Sequence, residues 1–287
     1  MKAHHSIAEN LAVAARYLQE TCEDARRDAE ILLCAVLECE RTYLYAHGEK
    51  KLGETEADLF RHYLERRHAG EPVAYIIGRR EFWSLLLAVN ESTLIPRHDT
   101  EILVETALAL CKRESARVLD LGTGSGAIAL ALAVENPQWQ IDAVDVQEDA
   151  VALAQWNARQ LGIANVNIYR SDWFSAVPAV TSVQAMCFDM IVSNPPYIDA
   201  GDPHLALGDL RYEPHTALVA ADRGYADLFT IAREAKKYLC SDGWLLLEHG
   251  FQQAGDLRIY LHDAGYHEVQ TFADLGGNDR VTIGRKP

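Results

Sequence analysis

The chain has 287 residues, 49% of them apolar, and a formal net charge of −15, which gives about two domains at roughly 150 residues each and a sizeable core. The acidic balance counts against a nucleic-acid substrate, which needs a basic footprint, and suits a basic protein partner or a small cationic ligand. No apolar run reaches the roughly 18 residues of a membrane span, and Met1-Lys2-Ala3-His4-His5 lacks a signal-peptide core. The six cysteines are scattered, with no Cys-x-x-Cys pair and no zinc spacing. A soluble, cytoplasmic monomer with reduced, mostly buried thiols and no metal is therefore expected.

In chain order, residues 6 to about 70 read as helices. Ile7, Leu11, Ala14, Ala15 and Leu18 recur at helical spacing, as do Ala29, Leu32, Leu33, Val36 and Leu37. A third series, Leu59, Tyr63 and Leu64, runs up to the stop signal Gly70-Glu71-Pro72. Residues 1–72 are thus a helical domain of four or five short helices, with Arg61, Arg66, Arg67 and His68 as a solvated basic face or a partner-docking one. Residues 73–95 predict a linking β-hairpin that turns near Gly78-Arg79-Arg80, with Phe82 and Trp83 as anchors. After Ile95-Pro96-Arg97 a helix is expected to start with Asp99 as N-cap.

From residue 116 to the end, strand and helix patterns alternate. Strands are expected at 117–120, 140–145, 166–169, 188–193, 244–247, 267–272 and 280–284, and helices at 126–134, 151–160, 224–239 and 252–263. This predicts a doubly wound, mainly parallel sheet over residues 96–287 with helices on both faces. Gly276-Gly277-Asn278-Asp279 reads as a hairpin turn that makes the last strand antiparallel.

Two motifs fall at carboxyl ends of neighbouring strands, where open α/β sheets bind ligands. Asp120-Leu121-Gly122-Thr123-Gly124-Ser125-Gly126 follows the first strand, and its glycines let backbone and helix N-terminus approach a ligand. Asp145, about 20 residues on, is placed to accept from ribose hydroxyls, and Trp173 after the third strand can pack on an adenine. Gly122-x-Gly124-x-x-Ala127 also fits a permissive dinucleotide pattern, so an NAD(P) oxidoreductase competes with a S-adenosylmethionine enzyme. No Walker lysine follows the loop. The second motif, Asn194-Pro195-Pro196-Tyr197, ends strand 188–193 in a rigid turn, because two prolines fix φ and cannot join a sheet ladder. The Asn194 side chain and the Pro195 carbonyl offer two acceptors for an NH2 group, and Tyr197 an aromatic face. The pairing of such a gripper with an adenosine site points to methyl transfer onto nitrogen.

With these marks in place, the chain resembles the release factor glutamine methyltransferases (the HemK/PrmC family) over essentially its whole length. The resemblance rests on Arg80-Glu81-Phe82-Trp83, Leu94-Ile95-Pro96-Arg97, the glycine loop, Ser171-Asp172-Trp173-Phe174, the Asn-Pro-Pro-Tyr turn, Arg211-Tyr212-Glu213-Pro214 and Leu246-Leu247-Glu248. It implies a seven-stranded class I methyltransferase domain with S-adenosylmethionine held by Gly122, Thr123, Gly124, Ser125, Gly126, Asp145, Trp173 and Asn194. It also implies that the substrate is the Gly-Gly-Gln glutamine of class 1 peptide chain release factors, bound and methylated at Asn194, Pro195, Pro196 and Tyr197. Rival readings are a ribosomal-protein glutamine, an adenine-N6 position in nucleic acid, which requires a flipped base and a basic track, and a non-catalytic nucleotide-binding protein. One departure is His98, which stands where the family's second proline is usual and reads as a cap variant. Residues 176–187 are expected to form an extended surface loop, and His204 and His215 to lie on the surface.

Overall fold

The computed structural model describes residues 5–178 and 187–287, so most of the loop expected over 176–187 lies outside the described residues. The chain folds as two compact units, residues 1–79 with 206–212, and residues 80–205 with 213–287.

The first unit holds α1 (Ile7–Leu18), α2 (Ala25–Leu37), α3 (Arg41–Ala46), α4 (Glu54–His68) and α5 (Val73–Ile77). Ser6 caps α1 in a reciprocal box with Glu9, satisfying two donors at the helix start. Its apolar stripe of Ile7, Leu11, Ala14 and Leu18 packs with Ala29, Leu32 and Leu33 of α2. On α4 the core residue is Phe60, 2% exposed, whereas Leu59 of the expected series faces outward. The basic residues 66 and 67 are not a solvated face. Arg67 is paired with Asp28 at 2.7 Å and Asp209 at 3.0 Å, and Arg66 Nε donates to Glu71 at 2.8 Å. Asp209 and Tyr212, whose hydroxyl donates to the Ala69 carbonyl at 2.6 Å, bring residues 206–212 into this unit.

The hairpin is shorter than expected and turns elsewhere. Residues 73–77 are helical and Gly78 ends them in the left-handed region, φ 72°. β1 (Arg79–Phe82) and β2 (Leu85–Ala88) are joined by Trp83 and Ser84, both at positive φ, the twist a two-residue hairpin turn requires. The Trp83 indole donates to Glu135 at 2.7 Å and its backbone N–H to Glu101 at 3.1 Å. His98–Thr100 form a 3-10 turn and α6 (Glu101–Leu110) follows, so Asp99 is not the cap. His98 instead reaches Glu101 at 3.3 Å.

The second unit continues through β3 (Arg117–Leu121), α7 (Ala127–Glu135), β4 (Gln140–Asp145), α8 (Glu148–Gln160), β5 (Val166–Arg170) and β6 (Phe188–Ser193). After the short helices α9 (His215–Leu218) and α10 (Ala221–Gly224) come α11 (Ala226–Ala235), β7 (Leu239–Glu248), α12 (Ala254–Asp263), β8 (His267–Ala273) and β9 (Asp279–Arg285). The strand order is β5-β4-β3-β6-β7-β9-β8, parallel except that β9 runs against both its neighbours. Alternating residues feed two cores: Val118, Met190 and Leu246 pack toward α6, α7 and α8, and Leu119, Ile191 and Leu245 toward α11 and α12. The order reverses between β3 and β6, the place where such sheets open a crevice.

Not all thiols are free. Phe188 pairs with Leu239 across β6 and β7, which brings Cys187 beside Cys240, and the two form a disulfide. Cys22, Cys34, Cys39 and Cys111 are free. No helix among the described residues is long and apolar enough to cross a membrane.

Candidate active site

Leu121 and Ser193 are register partners, so the glycine loop and the Asn-Pro-Pro-Tyr turn leave the sheet side by side. They open into a cavity of about 280 Å³ lined by Gly122, Thr123, Gly124, Ser125, Asp145, Trp173, Asn194 and Pro196. The loop is held at both ends. The Gly122 and Thr123 N–H groups donate to the Val144 carbonyl at 2.9 Å, and Gly124 N–H donates to Asp145 Oδ2 at 3.0 Å. Gly122, Gly124 and Gly126 all take positive φ, which other residues adopt only under strain. Gly126 faces away from the cavity. A Cβ there would meet Leu130 and Ala154 at 3.1 and 3.2 Å, so its smallness serves helix packing.

Trp173, itself at φ 44°, lies against Gly122, and burial pushes the Asp227 carboxyl up, opposed by the Trp173 side chain. Asn194 Nδ2 donates to Thr100 Oγ1 at 3.3 Å. Pro195 is buried, and neither it nor Tyr197 lines the cavity. The Tyr197 ring packs into the second core and its hydroxyl donates to Glu248 Oε1 at 3.3 Å. Gln253 holds the same turn from below, donating to the Tyr197 carbonyl at 3.1 Å.

Several lining residues were not foreseen. Phe82, Leu94, Pro96, Arg97 and Thr100 come from the hairpin and the segment after it, and Thr216 and Ala217 from α9. Pro96 was the one local signal, a stiff segment between two elements; nothing in α9 marks it. The acidic residues Asp145, Asp172 and Asp227 line the cavity, against one basic residue, Arg97, whose guanidinium is paired with the buried Glu213. His204 and His215 are exposed.

Two carboxyls beneath the cavity are wholly buried. Desolvation pushes Asp120 up to about 7, opposed by the Thr123 hydroxyl and the Ala129 N–H and reinforced by Asp145. It pushes Glu248 up to about 7 as well, opposed by Thr100, Arg280 and Tyr197 and reinforced by Asp99. Folded-state values above the unfolded ones mean that the native state binds these protons more tightly. Their stabilisation is complete below the unfolded values near 4 and is lost as pH rises through about 7. The thermal midpoint of the ligand-free protein is therefore expected to fall between pH 5 and pH 8, and less steeply in D120N. Differential scanning fluorimetry across this range checks it; equal slopes would refute the assignment to Asp120.

A reversed β9 inserted between β7 and the edge strand β8 of an otherwise parallel sheet, a glycine loop at the switch point and an acidic cavity define a class I methyltransferase domain. Family models described as "PrmC N-terminal domain" and "Methyltransferase small domain" match residues 9–78 and 98–209. The release factor glutamine methyltransferase of Shewanella oneidensis is 54% identical over 97% of this chain and 96% of its own length. That of Escherichia coli K12 is 53% identical over 93% and 94%. A methyltransferase structure from Pyrococcus furiosus, 19% identical, shares the fold over 77% of this chain and 96% of its own, with a TM-score of 0.52. The chain belongs to the release factor glutamine methyltransferases, which are S-adenosylmethionine-dependent enzymes.

The cavity fits that cofactor. Its acidic lining suits a ligand with a sulfonium and an amino group, and the Asp145 carboxylate keeps spare lone pairs for a ribose diol beyond its bonds to Gly124 and Gln147 N–H.

Proposed function

We propose that the chain methylates the side-chain amide nitrogen of the Gly-Gly-Gln glutamine in class 1 peptide chain release factors, in the cytoplasm. The observation that carries this reading is that Asn194 shares one cavity with the glycine loop and Asp145, in a chain that matches named release factor glutamine methyltransferases from end to end.

S-adenosylmethionine, when bound, supplies an electrophilic methyl group. The loop residues Gly122 to Ser125, Asp145 and Trp173 would hold it, with Gly126 setting how closely the loop sits on its helix. An amide nitrogen is a weak nucleophile because its lone pair is delocalised into the carbonyl. Asn194 Oδ1 and the Pro195 carbonyl accept its two N–H bonds, which orients that lone pair and stabilises the positive charge that grows on nitrogen. Pro195 and Pro196 keep the two acceptors rigid. Tyr197 acts from behind the turn, through Glu248. Neutral water takes the proton after transfer.

The test is incubation of the purified protein with tritiated S-adenosylmethionine and release factor, ribosomal proteins or DNA. Label is expected in the release factor alone and is lost when its motif glutamine becomes alanine. Label in a ribosomal protein or in DNA instead would overturn the substrate.

A further inference from the structure

Asn157 lies on α8, is 2% exposed, and does not line the cavity. Its amide is committed to backbone groups. Oδ1 accepts from Ala88 N–H at 2.8 Å, and Nδ2 donates to the Ala88 carbonyl at 3.0 Å and to the Ser125 carbonyl at 2.9 Å. These partners leave the amide one orientation, because a backbone N–H needs the oxygen and two carbonyls need the NH2. Toward Ala88, the last residue of β2, the side chain does what a neighbouring strand would, returning one donor and one acceptor. Its second hydrogen goes to the glycine loop.

The two places so joined are two sides of the cavity. Ala88 leads into Ser92, Thr93, Leu94 and Pro96, which form a wall, whereas Ser125 belongs to the loop beneath. Wall and loop meet at Thr93, since a Cβ on Gly124 would stand 3.9 Å from Thr93 Cβ. Ala154 packs under the loop, 3.2 Å from where a Gly126 Cβ would be. Residues three apart share a helix face, so α8 supports the loop by shape at Ala154 and by hydrogen bonds at Asn157. Leucine at 157 would fill a similar volume and strand three backbone groups, and aspartate would set an oxygen against two carbonyl oxygens. Among side chains of this size only the amide satisfies all three.

We propose that Asn157 is a positioning residue for the cofactor: it clamps the wall from β2 onto the glycine loop, so that the two form one rigid cradle for S-adenosylmethionine. The inference rests on the reading of that loop as the cofactor site.

The test measures S-adenosylhomocysteine binding to the full-length protein by calorimetry, well below every unfolding midpoint. N157A is expected to weaken binding about tenfold or more, the scale of stranding buried backbone groups. It raises KM for S-adenosylmethionine by a similar factor and leaves KM for the release factor within about threefold. Asn165 supplies the structural control. Its NH2 donates to the carbonyls of Ala133, Asn136 and Trp139 at 3.1–3.3 Å in the same unit, and none of these lines the cavity. N165A should lower the thermal midpoint as N157A does and keep native affinity. An N157A protein that binds within about twofold of native overturns the proposal. So does an N165A protein that loses affinity in step with its midpoint, since any such amide would then suffice.

A second measurement needs no variant. In the native protein, saturating S-adenosylhomocysteine is expected to slow amide exchange about threefold or more at Ala88, outside the cavity, as well as at residues 122–126. Protection of the loop without Ala88 overturns the clamp; protection of neither means that the reading of the glycine loop has itself failed.

Discussion

Asn194→Ala is expected to reduce methylation of the release factor by about 100-fold or more, the scale set by removing one preorganised polar contact from a reacting centre. The substitution deletes the acceptor that stabilises charge on the attacking nitrogen. It leaves the glycine loop, Asp145 and Trp173 in place, because the loop is held by Val144 and Asp145, Asp145 by backbone N–H groups, and Trp173 lies against Gly122, none of them by Asn194. Affinity for S-adenosylhomocysteine should therefore stay within about threefold of native, a difference of well under 1 kcal/mol. Single-turnover methylation at saturating cofactor, with calorimetric binding of S-adenosylhomocysteine alongside, separates the two effects. Near-normal turnover would remove Asn194 from the chemistry; loss of both in parallel would make it a cofactor residue only.

The sequence made the sheet legible because buried parallel strands are short apolar runs cut off by Gly, Asp or Pro. β4 and β6 begin and end where the pattern places them. The adjacency of the two motifs was legible for the same reason, since strand alternation puts both at carboxyl ends. What escaped depends on partners distant in the chain. The direction of Tyr197 is set by Glu248, fifty-one positions later, and by no local pattern. Cys187 and Cys240 meet through a register that lies in the pairing of β6 with β7. Thr100 looked like part of a helix start, yet its hydroxyl accepts from Asn194 instead of capping α6. The hairpin turn was misplaced because Trp83 and Ser84 take positive φ where glycine would be expected, while the nearby Gly78 serves to end α5.

Gly224→Ala should be more damaging than a glycine substitution on a surface turn, and the reason lies beneath the Asn-Pro-Pro-Tyr motif. Asp222, Arg223 and Gly224 follow one another in the left-handed region, at φ 53°, 57° and 86°. This brings Gly224 so close to the motif that a Cβ would stand 2.2 Å from the Tyr197 carbonyl oxygen and 3.0 Å from Gln253 Nε2. The first neighbour is backbone and cannot swing aside. Either the Tyr197 peptide moves, breaking its hydrogen bond from Gln253, or residues 222–224 unwind. The left-handed conformation costs a non-glycine residue about 1 kcal/mol, and losing a buried hydrogen bond adds about 1–3 kcal/mol. The expected result is a loss of about 2–4 kcal/mol in stability together with a fall of more than about tenfold in kcat, since the Asn194 and Pro195 acceptors ride on the displaced turn. Gly162→Ala supplies the comparison. Gly162 has φ 69° and nothing within 4 Å of its would-be Cβ, so only the conformational cost applies, and kcat should stay native. Chemical denaturation and steady-state methylation of the two variants isolate the clash with Tyr197. If Gly224→Ala matches Gly162→Ala in both measurements, the turn takes no support from residue 224, and the rigidity of the acceptors must come from the two prolines alone.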